Sequence, residues 1–145
     1  MIGLRTVYQV GTNVAVAAST ALVTTNLTSP VAVNEIQHIR CWVPFTVGAT
    51  GGFKFQLVVP AAGQLFEASF MVVDPVTPQI ITALQNASAA FANALAVAGA
   101  HWLEINATVK NGVNAGNIDL QVACNSAANG ITVLATGYMD VVRHN

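Results

Sequence analysis

Histidine, cysteine, serine and the carboxylates carry most enzymatic chemistry, and this chain holds them sparsely and at uninformative spacings. Its histidines are His38, His101 and His144. None stands at a metal-ligand spacing such as His-x-Glu-x-x-His, and Cys41 and Cys124 form no Cys-x-x-Cys pair. His38 lies two residues before Arg40, His101 lies three before Glu104, and His144 is penultimate. A surface or interface role accounts for each more simply than catalysis. The six carboxylates are Glu35, Glu67, Asp74, Glu104, Asp119 and Asp140. Two of them could meet across a sheet as a glycosidase-like acid pair, but no spacing favours any two. The nucleophile motif Gly-x-Ser-x-Gly and the phosphate loop Gly-x-x-x-x-Gly-Lys are both missing. Gly48-Ala-Thr-Gly51-Gly52 joins two strand-like runs rather than opening a helix, so a turn explains its glycines. Trp42 and Trp102 could form a carbohydrate platform, yet aromatic residues in strands more often pack in a core or an interface. The expectation is therefore a protein that is not an enzyme, with no catalytic residue, no cofactor and no metal.

Composition turns that negative reading into a positive one. The chain has 145 residues, the size of one domain, of which 54% are hydrophobic and only 8% charged, against about 25% charged in a typical soluble domain. Lys, Glu, Arg and Asp normally clothe a monomer's surface. Five basic and six acidic residues cannot cover a domain of this size. Either the surface is neutral-polar or other subunits cover much of it. Interface cores are depleted in charge, which favours the second.

Partners can be narrowed in the same way. The net charge is −1, and Arg5, Arg40, Lys54, Lys110 and Arg143 are scattered, so no basic footprint for nucleic acid is expected. Two long uncharged stretches, Thr6 to Asn34 and Pro75 to Leu103, are broken by glycine, proline, asparagine and glutamine. A spanning helix needs about 20 predominantly apolar residues, so no membrane partner is expected. Met1-Ile-Gly-Leu-Arg-Thr6 lacks a secretory signal's features, which points to synthesis in a cytoplasm. In a reducing compartment Cys41 and Cys124 serve better as small buried hydrophobes than as a bridge.

The elements that must position these residues read as strands. Alternation and β-branched enrichment mark Thr6 to Val10, Val14 to Thr24 (a strand or an extended arm), Ile36 to Val47, Phe53 to Pro60 and Leu65 to Val73. In the third of these, Ile36, His38, Arg40, Trp42 and Pro44 share one side and Gln37, Ile39, Cys41, Val43 and Phe45 the other. With the Gly48–Gly52 turn, Ile36–Val47 and Phe53–Pro60 are predicted to form a hairpin. Gln79 to Ala98 is ambiguous. It fits a helix capped by Thr77 and Pro78, or a strand near Gln79–Leu84, a polar loop around Asn86 and a strand near Asn93–Ala98. Trp102 to Val109 and Ile118 to Cys124 alternate cleanly. Ile131 to Val142 closes the chain, with Thr136-Gly137 as a bulge or a close backbone approach. Eight or more short strands in one domain predict a sandwich or barrel.

Two stretches go further. Val43-Pro-Phe-Thr-Val-Gly-Ala-Thr-Gly-Gly-Phe-Lys-Phe-Gln-Leu-Val-Val-Pro60 resembles a recurrent strand, Thr-Gly-Gly turn and strand of tailed-bacteriophage virion proteins. Trp102–Val109, then Ala115–Ser126, then Ile131–Arg143 resembles the ending of the same modules. The resemblance covers about half the chain. It implies an all-β fold, a single jelly-roll-like or tumour-necrosis-factor-like antiparallel sandwich over residues 1–145, and a homotrimer. It also favours strands over a helix in Gln79–Ala98. Residues 1–30 are expected as a strand or arm that could reach a neighbour. Such modules decorate capsids as cement proteins or cap tail fibres. The module fills nearly the whole chain and leaves no room for a shaft, so cement is the expected job. Its partner would be the major capsid protein and its place the capsid exterior of the virion. The alternative is a tail-fibre tip, with tail proteins or host surface glycans as partners. Trp42, Phe45, Trp102 and Tyr138 are the residues expected at the subunit interface.

Overall fold

The structure, a computed structural model, describes residues 3–17, 19–48, 52–60, 65–74, 79–85, 87–93, 98–126 and 130–144. Among the described residues there are twelve strands and no helix, so none could cross a membrane as one. They are β1 (Leu4–Gln9), β2 (Val14–Val16), β3 (Val23–Val31), β4 (Ile36–Val47), β5 (Phe53–Val58), β6 (Leu65–Asp74), β7 (Gln79–Gln85), β8 (Phe91–Asn93), β9 (Gly99–Lys110), β10 (Gly116–Cys124), β11 (Ile131–Val133) and β12 (Tyr138–His144).

The strands pack as two antiparallel sheets. One runs β1-β12-β4-β9-β6-β7, with β11 and β2 attached at one end of β4, and the other runs β3-β10-β5-β8. The four strands β1-β12-β4-β9 facing β3-β10-β5-β8 have the strand order of a jelly roll. The β6–β7 hairpin is inserted between β5 and β8 and widens the first sheet past β9. The predicted all-β sandwich is thus the observed fold. β1 pairs with β12 from Leu4↔Arg143 to Gln9↔Tyr138, and β3 pairs with β10, so the described part of residues 1–30 is built into the sheets rather than extended as an arm.

Strands win in the ambiguous segment because each finds a partner. β7 pairs with β6 from Asp74↔Gln79 to Ala68↔Gln85, and β8 pairs with β5. A strand is seen at Phe91–Asn93; of the predicted Asn93–Ala98, residues 94–97 lie outside the described residues, as does Asn86.

The predicted β4–β5 hairpin is not formed. The two strands belong to opposite sheets, and β4 pairs with β9, β12 and β11 while β5 pairs with β10 and β8. The connection therefore joins strands of opposite sheets, as an arch does. Gly52, immediately before β5, has φ +64°, a conformation glycine adopts at little cost. Phe45 and Phe53 then stack face to face inside, with ring centroids 4.0 Å apart and planes at 14°. Both are fully buried, as are Phe55 beside Phe53 and Leu103, Ile105, Ile118 and Leu120 of the same core. A hairpin and an arch look alike in sequence, because either needs two alternating strands and a glycine turn.

The last strand run is also divided. β11 and β12 lie end to end along β4, at Phe45–Val47 and Ile36–Trp42 respectively. The break falls opposite Pro44, which has no N–H to donate; its carbonyl instead accepts from Leu134 at 2.9 Å. Gly137 closes the turn against Val10. A Cβ there would stand 3.0 Å from a Val10 methyl, which is the close approach the sequence signalled.

One buried polar cluster ties the two sheets at the other end. The Arg143 guanidinium donates to Tyr8 Oη at 2.7 Å and to Ser29 Oγ and the Pro30 carbonyl at 3.3 Å, and Glu35 lies 3.5 Å from its Nε. Gln37, fully buried, donates to the same Pro30 carbonyl at 2.8 Å. Unpaired burial of these groups would be costly, so they are held together.

Two stability outcomes follow. Phe45→Ala removes one ring of the arch stack and should cost about 3–5 kcal/mol, read as a lower urea midpoint with an unchanged slope. Arg143→Ala leaves Glu35 and its neighbours without their cation and should cost about 3 kcal/mol in the same assay.

Candidate functional site

The pleat of the wide first sheet sends alternate residues outward, and the register lines them up across strands. On β4 the outward residues are His38, Arg40, Trp42 and Pro44, and on β9 they are Trp102, Glu104, Asn106 and Thr108. Pro44 faces Trp102, Trp42 faces Glu104, Arg40 faces Asn106, and His38 faces Thr108. On the other side of β4, Tyr138 faces Trp42 and Asp140 faces Arg40. β6 adds Ser69 beside Asn106 and Val73 beside Trp102. The face thus has an aromatic end and a polar end.

At the aromatic end Trp42 and Tyr138 stack with centroids 6.3 Å apart and planes at 28°. Both rings, and Trp102, are half-buried within the single chain. Three of the four residues expected at an interface therefore share one outward surface. Phe45 does not. It lies on the opposite side of β4 and is fully buried against Phe53, with His101 5.5 Å away, so the core takes it. The alternation of β4 already placed Phe45 and Trp42 on opposite sides, and a strand cannot present both to one surface.

The polar end is organised by ion pairs. Arg5 donates to both Asp140 oxygens, at 2.8 Å from Nε and 2.7 Å from Nη2, and Arg40 donates to Glu104 at 3.0 Å. These arginines are mostly exposed, so each pair adds little stability but fixes the side chains. The Asp140 carboxyl is held below its usual range, first by the hydrogen bond from Arg5 and then by the charges of Arg5 and Arg40. It is thus kept ionised, the wrong form for a general acid. His38 Nδ1 lies 3.0 Å from Thr108 Oγ1, and the His38 and His144 rings meet edge to face at 4.9 Å.

Between β12, β4, β9, β6 and β7 this end forms a groove of about 800 Å³, lined by His38, Arg40, Ser69, Asn106, Thr108 and Asp140 among others. Sequence reading missed it. Its polar residues were legible as outward positions on each strand, but nothing local places β12 and β9 on either side of β4.

Other candidates lie elsewhere. His101 is buried, with Nδ1 3.6 Å from Asp74 Oδ1. Cys41 and Cys124 are both buried free thiols, and burial pushes the Cys41 thiol far above its usual range, which makes it inert. Among the described residues no group of three or more His, Cys, Asp or Glu could hold a metal ion.

The Arg5–Asp140 pair has a pH signature. A carboxyl whose folded pKa lies below its unfolded value, about 3.9, stabilises the fold above that value and loses the effect as pH falls through the folded value. Asp140→Asn should leave stability at pH 7 slightly lower and flatten the decline below pH about 4, as measured by urea melts across pH.

No protein-family model matches the chain, and no curated protein does. Among solved structures, the infectious bursal disease virus VP2 subviral particle is similar at 6% identity and a TM-score of 0.27, over 98% of this chain and 37% of that one. The T13 particle of the same virus is similar at 10% identity and a TM-score of 0.26, over 96% and 38%. Its D431N mutant VP2, in T=1 particles, gives 9%, 0.25, 97% and 36%. These neighbours are viral capsid proteins, and the chain spans little more than a third of their length. Scores of this size do not establish a common fold.

Proposed function

We propose that this chain is a non-enzymatic structural subunit of a bacteriophage virion, a homotrimer that cements the capsid exterior by binding the major capsid protein. One observation carries the reading. In a domain with 8% charged residues, Trp42, Tyr138 and Trp102 stand together on the outward face of the wide sheet. Interface cores are poor in charge and rich in Trp and Tyr, and such residues supply most of an interface's energy. The ordered Val43–Pro60 and Trp102–Arg143 stretches, which resemble phage virion modules, support the same reading. Cementing requires buried area, typically about 1,200–2,000 Å² per stable interface, and no chemistry. The subunit is made in the host cytoplasm and carried in the virion.

A second reading, a tail-fibre tip that touches host surface glycans, is favoured by the polar groove on the same face. Quantifying the protein on purified heads and purified tails separates the two. Occupancy of heads supports cement, and confinement to tails rejects it. Light scattering on the eluting chain should give three times the 15.0 kDa mass of one copy. Trp42→Ala should weaken binding to heads or to its own copies by about 2 kcal/mol while leaving the fold intact.

A further inference from the structure

We infer that the groove at the polar end of the wide sheet is a binding site for a neutral saccharide. The inference concerns ligand class, and it holds whether the protein sits on heads or on tails.

The groove's chemistry excludes the commoner ligands one by one. An anion such as phosphate or sulfate requires cations that are free to meet it. Here Arg40 is bonded to Glu104, and the other nearby arginine, Arg5, grips Asp140 with two nitrogens. Those two pairs cancel their charges and leave the groove without a positive field. A hard cation would seek several converging carboxylates, and no such cluster exists among the described residues. An apolar ligand would meet too many polar groups.

What the groove does offer is a grid of uncharged or neutralised donors and acceptors, with the exposed Glu67 carboxylate on β6 as a further acceptor for hydroxyls. The Asn106 amide, the Ser69 and Thr108 hydroxyls and the His38 ring stand on adjacent strands, with the Asp140 oxygens and the Arg40 nitrogens beside them. Neighbouring strands lie about 4.8 Å apart, so the groups repeat at a spacing that a chain of hydroxyl-bearing rings can follow. An amide plane sets a donor beside an acceptor and a guanidinium plane sets donors side by side, and both suit vicinal hydroxyls. Val142 and the highly exposed Leu84 supply apolar surface at opposite sides for the C–H side of a sugar, and the His38 ring, braced edge to face by His144, lines the groove beside them. A volume of about 800 Å³ accommodates more than one ring. Because the ion pairs hold their side chains in place before a ligand arrives, little ordering is needed on binding.

The test uses the full purified chain on an array of neutral, sulfated and phosphorylated oligosaccharides, with inorganic phosphate as a separate competitor. Binding to neutral saccharides that phosphate does not displace is expected. Asn106→Ala and Thr108→Val, both outward and outside the core, should each lower that binding about tenfold with unchanged melting temperature. Asn117→Ala, exposed on the other sheet, should leave it unchanged. Absence of any neutral ligand, preference for anionic ones, or wild-type binding by a folded Asn106→Ala would each overturn the inference. Head and tail occupancy is measured independently, so failure here and failure of the cement reading are told apart.

Discussion

The rest of the structure depends on the pairing of β4 with β9. It runs without interruption from Ile36↔Lys110 to Val47↔Gly99 and forms the spine of the wide sheet. Its inward residues, among them Ile39, Val43 and Phe45 on β4 and Leu103, Ile105 and Val109 on β9, form the floor of the core. Its outward residues bring Arg40 to Glu104 and His38 to Thr108. A slip of one residue would turn every one of these side chains to the wrong face. The core and the outward site are therefore two faces of one register.

Few charges are available, and the fold places them with economy. Arg143 sits inside a polar cluster that ties β1, β3 and β12 together, while Arg5 and Arg40 hold carboxylates on the outward face. That leaves the aromatic end of the same face with the Arg40–Glu104 pair as its nearest charges, and Trp42, Tyr138 and Trp102 stand half-buried there. Aromatic surface of this kind is what assembly uses, and the polar groove beside it is what a small ligand would use. The division follows from which register pairs fall at which end of the strands.

Much of this was legible before any coordinates. Period-2 alternation marked β4, β9 and β10 and divided each into two faces, because a strand half-buried in a sheet leaves that imprint on its own residues. Pro44 and Gly137 were legible as interruptions, since a missing N–H and a missing Cβ act locally. Alternation also sets Phe45 opposite Trp42, but not which of the two sides faces the core: Phe45 is expected beside Trp42 at an interface, and the structure instead stacks it on Phe53 inside.

Partnership between distant strands was not legible. The β4–β5 arch reads like a hairpin until β10 and β8 are seen to claim β5, and Gln79–Gln85 fits a helix as well as a strand until β6 claims it. Arg5 and Asp140 stand 135 residues apart, and Arg40 and Glu104 stand 64 apart. The sequence by itself determined that this protein is a charge-poor β-domain whose strands each have two distinct faces, because burial acts on each residue where it stands. Only the tertiary structure decided which strands adjoin, and with that the outward site, because backbone hydrogen bonds between strands are the same for every sequence and the packing of the whole core selects among them.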